Sequence, residues 1–445
     1  MIKRINIEQL ILLMFGVSML APLNTSLGFI KITTWNLPGA LLVFWIVLRG
    51  ANRSRFKIIN FDLWDYSILA SVFLYYLMTL LGQDPIESLL GLNGYAYCLL
   101  LAIYFRRSYG KVFNMKTLII YAFITVLLQS FFGILQQVTS SEIGNISIYF
   151  GDAPATMELR SVGDTDMGRI HGTLGTGNLV GSWICMFTPF IIFSADRFKR
   201  KNFILLIMIT LILATITILL TISRFNIALY ILVLGTAGLY TLKSVDFSRV
   251  SLKVKTVPTI FVLFLFLMSI GMAVRFRAEI ALMRQAIEIR FSDTFEQAAE
   301  AAQITSGVAA RMEMNKGAIQ AFARSPIIGL GFKNSRSIWP TVDAKVPPNW
   351  AYQPHNVYMV VLVEGGFFLF LGYSLLTLLP FFRMWQARKN KDPMMIALFL
   401  SLSAALGIHM MYITFTSPSF TAVYTALLGT SMGYLDNYFG TKGTT

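Results

Sequence analysis

The run FILLIMITLILATITILLTIS, Phe203–Ser223, holds no charged side chain and is bounded by Arg200-Lys201 on one side and Arg224 on the other. A helix needs about 20 mostly apolar residues to cross the hydrocarbon of a bilayer, because lipid offers no partner to an unpaired backbone group. Outward from this run the pattern repeats, near Ile7–Ile30, Thr33–Leu48, Leu63–Leu81, Ser88–Phe105, Thr117–Val138, Thr173–Ser194, Asn226–Leu242, Thr256–Val274, Asn356–Pro380, Met394–Thr414 and Phe420–Leu435. The sequence therefore predicts an all-α, polytopic integral membrane protein of about twelve transmembrane helices. Composition agrees: of 445 residues, 56% are hydrophobic and only 13% charged, too apolar for a chain bathed in water on all sides.

Basic residues set the orientation, since Lys and Arg in short loops stay cytoplasmic. Lys3 and Arg4 precede the first span, and Arg49/Arg53/Arg55/Lys57, Arg106/Arg107/Lys111/Lys116, Arg197/Lys199/Arg200/Lys201, Lys243/Arg249/Lys253/Lys255 and Arg383/Arg388/Lys389/Lys391 fall in every second loop. The short loops Gln83–Glu87 and Thr416–Ser419 have none. Both termini are expected in the cytoplasm. The net charge of +15 resides largely in these loops, so it argues for topology rather than nucleic acid. The first apolar run lacks a cleavage pattern and reads as a signal anchor. Cys98 and Cys185 fall inside spans and read as small apolar fillers.

This orientation divides the chain into helices one to nine within residues 1–274, a large helical outer loop at 275–355, and helices ten to twelve within 356–445. A second outer loop, 139–172, joins helices five and six. In the large loop, Ile280, Met283 and Ile287 recur at helical spacing, and Met312, Ile319 and Phe322 mark a second helix over Gly307–Ala323 that stops before Ser325-Pro326. Gly329, Gly331 and Pro340/Pro347/Pro348 then make an irregular return to the membrane.

Arginine is not needed outside for topology, yet Arg160, Arg169, Arg224, Arg275, Arg277, Arg284, Arg290, Arg311, Arg324 and Arg336 all lie there. Their planar forks suit phosphate, donating two parallel hydrogen bonds at any relevant pH. Two roles fit Arg224, which follows Phe203–Ser223 directly: a guanidinium snorkelling to the interface, or one held at headgroup depth to bind a lipid-linked phosphate. His355 stands at the outer mouth of span ten, placed either to cap a helix start or to act as a general base near neutral pH. His171 is a second candidate at the mouth of span six, whereas His409, inside span eleven, reads as a hydrogen-bond partner of a neighbouring helix. Glu364 is the acidic residue deep in a span, open to a packing or a functional role. Asp164 and Asp166 flank Thr165 after Gly163 and read as a turn in preference to a metal site. Gly172–Asn178, GTLGTGN, lacks the Gly-Lys-Ser/Thr of a nucleotide loop and reads as close helix packing or a polar span entrance.

Arg169 with Gly172-Thr173-Leu174, Ser223-Arg224, Ala310-Arg311, Ser325–Phe332 (SPIIGLGF) and His355-Asn356 followed by Glu364-Gly365-Gly366 together resemble the O-antigen ligase and Wzy-type polymerase superfamily. In one departure, position 369 is Leu where the family often has Gly, and the next glycine is Gly372. The resemblance implies a GT-C-type membrane glycosyltransferase of the bacterial inner membrane, its large periplasmic loop lying between helices nine and ten. It implies transfer of a glycan from undecaprenyl pyrophosphate to a sugar hydroxyl, on a lipid-linked repeat for a polymerase or on lipid A–core for a ligase. On it, Arg224 and Arg311 bind the pyrophosphate and His355 takes the acceptor proton, while Arg169, His171, Asn356 and Glu364 contribute to substrate binding. No metal, ATP or other cofactor is called for, because the lipid-linked donor carries its own energy, and direct displacement inverts the anomeric centre. The competing class is a transporter or flippase for lipid-linked glycans, for which Glu364 and His409 are the intramembrane groups on offer.

Overall fold

The computed structural model describes residues 6–20, 24–27, 30–34, 36–51, 61–82, 85–141, 143, 159–162, 165–168, 170–174, 176–197, 201–221, 223–244, 306–332, 354, 356–387, 392–411 and 418–442. Its helices are α1 (Ile7–Leu20), α2 (Asn36–Ala51), α3 (Leu63–Leu80), α4 (Pro85–Ser108), α5 (Met115–Thr139), α6 (Gly177–Phe193), α7 (Lys201–Leu220), α8 (Arg224–Ser244), α9 (Ser306–Arg324), α10 (Val357–Ala387), α11 (Pro393–Met411) and α12 (Pro418–Lys442). Five contain a segment long and apolar enough to span a bilayer: Leu63–Leu80, Met115–Thr139, Phe203–Leu220, Val357–Ala387 and Pro393–Met410. Their outward faces carry residues such as Phe73, Phe131 and Leu205, each more than half exposed, as lipid-facing helices do. The protein is a membrane protein.

α6 lies at the centre. It packs against α5, α7, α8 and α11, and every residue from Val180 to Ile191 is buried. A helix apolar all round is stable only when enclosed on every side. Around it, α4 packs on α12, α3 joins α10 to α4, and α9 lies on α10. Cys98 and Cys185 are both buried inside helices, in keeping with their reading as fillers.

Three departures from the sequence reading have physical causes. First, the protein is not wholly helical: β1 (Asn24–Leu27) pairs antiparallel with β2 (Ile30–Thr33), and β3 (Leu159–Val162) with β4 (Thr165–Gly168). The expected first span to Ile30 ends at Leu20, because Pro22 disfavours helix at the residue before it and Asn24 and Gly28 favour turns. The β3–β4 hairpin places Asp166 in a strand opposite Ser161, whereas Gly163 and Asp164 of the expected turn lie outside the described residues. Second, the last helix does not stop at Leu435 but runs to Lys442, carrying Asp436 with it. Third, α10 is one helix only by appearance, since Gly366 inside it has φ 69° and ψ −173°. The expected helix at Gly307–Ala323 is present as α9, whereas the expected span Thr256–Val274 and the helix around Ile280–Ile287 lie outside the described residues.

Candidate active site

The glycines of SPIIGLGF and of Glu364-Gly365-Gly366 meet. Leu330 N donates to Val363 O at 3.0 Å, Gly331 N to Glu364 O at 2.9 Å, and Phe367 N to Pro326 O at 2.9 Å. Thus the loop after α9 supplies donors and an acceptor to the groups that the break in α10 takes out of its helix. Gly329 (φ 73°) and Gly366 (φ 69°) both occupy left-handed backbone. A Cβ on Gly366 would stand 2.3 Å from Ile327 O, and one on Gly329 would stand 2.5 Å from Glu364 O. Only glycine permits two backbones this close. Glu364 is 2% exposed, with its carbonyl in the junction. Leu369, at the departing position, is buried and fills the space over Gly365, where a Cβ would collide with it.

The junction is sealed by a small apolar cluster. Met314, Ala318 and Ala321 of α9 pack with Leu330 and Val363, and Phe322 and Met359 border them. Phe332, 3% exposed, continues onto α3, its ring 6.4 Å from that of Tyr75. Arg311 occupies the second turn of α9, three residues ahead of Met314. The start of α10 is capped by Asn356, whose Oδ1 accepts from Tyr358 N at 2.9 Å and Met359 N at 3.3 Å. The helix start therefore has its cap in Asn356. His355 itself lies outside the described residues, between a buried Pro354 and Asn356.

Arg224 is the first residue of α8, reached from α7 through a turn in which Thr221 Oγ1 donates to Ile218 O at 2.6 Å. Two residues on, Asn226 Nδ2 donates to Asn178 O at 2.9 Å, so the starts of α8 and α6 are tied together. Just before α6, His171 and Gly172 are held by α5: Gln136 Oε1 accepts from both backbone N–H groups at 2.9 Å, and Gln136 Nε2 donates to Gly172 O at 2.8 Å. His171 is buried, whereas Arg169 lies outside the described residues. The glycine set Gly172–Asn178 is thus a packed polar entrance, with Gly172 at φ 54° and Gln129 Oε1 where its Cβ would go.

The two groups are joined through α11. Phe225 reaches Gly407, and His409 touches the rings of Tyr358, Phe420 and Tyr424 while its Nδ1 lies 3.2 Å from Tyr373 Oη of α10. His409 is therefore the interhelical partner that its position suggested. Glu364 and His171 belong to different clusters, one on the α9 side of α10 and the other against α5.

Several structural residues escaped the sequence reading. Gln129 and Gln136 were visible only as two amides one heptad apart in an apolar helix. Arg106, read as a topology marker, is 6% exposed at its side chain and binds Asp62, Asp65 and Asp436 at 2.5, 3.0 and 2.7 Å. Arg383 reaches Asp436 at 2.7 Å and Arg107 pairs with Asp65.

No curated protein matches the chain. Residues 209–374 match the Wzy_C family model, described as O-antigen ligase. The matched stretch runs from within α7 to within α10, taking in Arg224, Arg311, both halves of the glycine junction, His355, Asn356 and Glu364, and leaving out Arg169 and His171. It is this stretch that carries the chain's likeness to the O-antigen ligase/Wzy superfamily.

Proposed function

We propose that this protein is a GT-C-type glycosyltransferase of the bacterial inner membrane, with both termini in the cytoplasm and its active site on the periplasmic side. It transfers a glycan from undecaprenyl pyrophosphate to the hydroxyl of a sugar, as a polysaccharide polymerase or an O-antigen ligase. The observation that carries the reading is the glycine junction inside the family-matched stretch, which fixes the helix of Arg311 against the helix that Asn356 caps. The match to the O-antigen ligase model supports glycosyl transfer as the general activity, while donor, acceptor and mechanism are inferred from the residues.

In this mechanism Arg224 and Arg311 hold the pyrophosphate by bidentate hydrogen bonds, stabilising charge that grows as the anomeric C–O bond breaks. The acceptor oxygen attacks the anomeric carbon from the opposite face as its proton passes to the His355 imidazole. The bonding pair leaves with undecaprenyl pyrophosphate and the anomeric configuration inverts. Fixed guanidinium charge serves where other enzymes use a metal, so the reaction is expected to run in EDTA.

The deciding experiment supplies purified protein with an undecaprenyl-pyrophosphate-linked glycan, alone or with lipid A–core, in EDTA and without ATP. Longer lipid-linked chains from donor alone identify a polymerase, and transfer only with core identifies a ligase. Arg311→Lys should fail nearly as badly as Arg311→Ala, since a point charge cannot reproduce the fork. His355→Ala should lose about 10²–10⁴ in rate. Silence in both tubes, with and without Mg²⁺, would sink the transferase reading and leave transport of the lipid-linked glycan as its successor.

A further inference from the structure

Two helices stop short beside α5. α1 begins against the end of α4, where Glu8 meets Tyr104 and Ser108, and runs for about 21 Å to Leu20. Gln129 stands at the same height, about 21 Å along α5 from Met115. Here Gln129 Nε2 donates to Leu20 O at 3.2 Å and to Thr173 Oγ1 at 2.6 Å, Thr173 Oγ1 donates to Leu20 O at 2.5 Å, and Thr173 N donates to Gln129 Oε1 at 3.1 Å. α5 then continues for about 15 Å to Thr139. Beside that last part lies the non-helical stretch Ile170–Leu174, clamped a second time by Gln136. Both amides are fully buried, at 0% and 1% exposure.

Non-helical backbone at membrane depth is stable only inside protein or along a water-filled cavity. Two observations favour water here. Thr176, the cap of α6, is exposed, so solvent reaches the start of a helix that α5, α7, α8 and α11 enclose. Asn226 Oδ1, fully buried beside Asn178, has no hydrogen-bond partner among the described residues, and a wet cavity would supply one.

We infer that Gln129 and Gln136 are positioning residues: they hold Ile170–Thr173 as a re-entrant wall of a water-filled vestibule, sunk below the end of α5, where the pyrophosphate of a polyprenyl-linked donor is received. The inference rests on the glycosyltransferase reading for its ligand but not for its geometry. Gln136 uses both faces of its amide, accepting from His171 and Gly172 and donating to Gly172 O and Ile143 O. In a Gln136→Glu variant the neutral carboxyl would keep the acceptor and one donor, whereas the ionised form would turn an oxygen on the carbonyl of Gly172.

The test has two arms. In proteoliposomes, Thr176→Cys should react with a membrane-impermeant maleimide from the side opposite the basic loops, Cys98 and Cys185 being buried. Adding Gln129→Leu should change that labelling rate several-fold. No labelling, or a rate indifferent to Gln129→Leu, overturns the vestibule whether or not the protein transfers glycans. In the kinetic arm, Gln136→Leu should raise KM for the undecaprenyl-pyrophosphate-linked donor about tenfold with kcat within about twofold. Gln136→Glu, a gentler change should the leucine variant misfold, should match the parent at low pH and lose donor affinity relative to it as the carboxyl ionises. An unchanged KM in both variants, or a fall confined to kcat, overturns the positioning role while leaving the parent's transfer activity, and so the functional reading, untouched.

Discussion

The two ends of the helical bundle are held by opposite means. At the end bearing the basic loops, a single guanidinium gathers three carboxylates: Arg106 joins Asp62 before α3, Asp65 within it and Asp436 of α12, and lies 5.4 Å over the ring of Trp64. At the other end, among the described residues, neutral fastenings are found: glycine against glycine between α9 and α10, glutamine against backbone between α5 and the approach to α6, asparagine against a carbonyl between α8 and α6. A charged fastening commits its arginine to the fold. The neutral ones tie the helix that begins at Arg224 and the helix that carries Arg311 through backbone and amide groups.

The largest test of this contrast is Arg106→Ala. Removing it leaves Asp65, wholly buried, to Arg107 and Asp436 to Arg383, so thermal unfolding in detergent should register a loss of about 3 kcal/mol, the low end for a broken buried pair. A loss below about 1 kcal/mol would show that the knot is ornamental. Arg383→Ala, whose side chain is 24% exposed, should cost much less.

Next comes Gly366→Ala. A left-handed residue with a Cβ costs about 1–2 kcal/mol, and the clash with Ile327 threatens three backbone hydrogen bonds worth about 1 kcal/mol each. The expectation is local: α9 undocks, limited proteolysis after Arg324 quickens by about a hundredfold, and the bundle's unfolding midpoint barely moves. A global drop in stability instead would mean that the junction belongs to the core.

The smallest effect is acid sensitivity of the charged end. The Arg106 guanidinium, hydrogen-bonded to Asp62, holds that carboxyl down at about 2 from an ordinary 3.8. A lowered folded value stabilises the native state above the unfolded pKa and is lost as pH falls through the folded one, so this contribution should fade between about pH 4 and pH 2. Asp62 is 47% exposed at its side chain, so screening keeps the effect small. Acid unfolding of an Asp62→Asn variant should lack that part of the transition.

Legibility followed the range of the interaction. The helix over Gly307–Ala323 was readable because its stripe and its stop at Ser325-Pro326 are local, and α9 occupies Ser306–Arg324. The apolar runs were readable for the same reason. The break at Gly366 was not, since hydropathy does not register a backbone angle and the run around it is uniformly apolar. The hairpin after α1 was hidden in a similar way, its β-branched and apolar residues passing for more helix. Arg106 was misjudged in function though not in place: a cation beside a span end looks the same in sequence whether it faces water or three carboxylates.

Sequence alone determined that the chain lives in a membrane, where most of its helices lie, and which arginines and histidines stand near the ends of spans. These follow from the transfer energetics of about twenty neighbouring residues at a time. Tertiary structure alone decided which of those residues share a place. Contacts between Gly329 and Gly366, Gln136 and Gly172, or Arg106 and Asp436 join positions far apart in the chain, and they form because each buried polar group must find its partner wherever packing provides one.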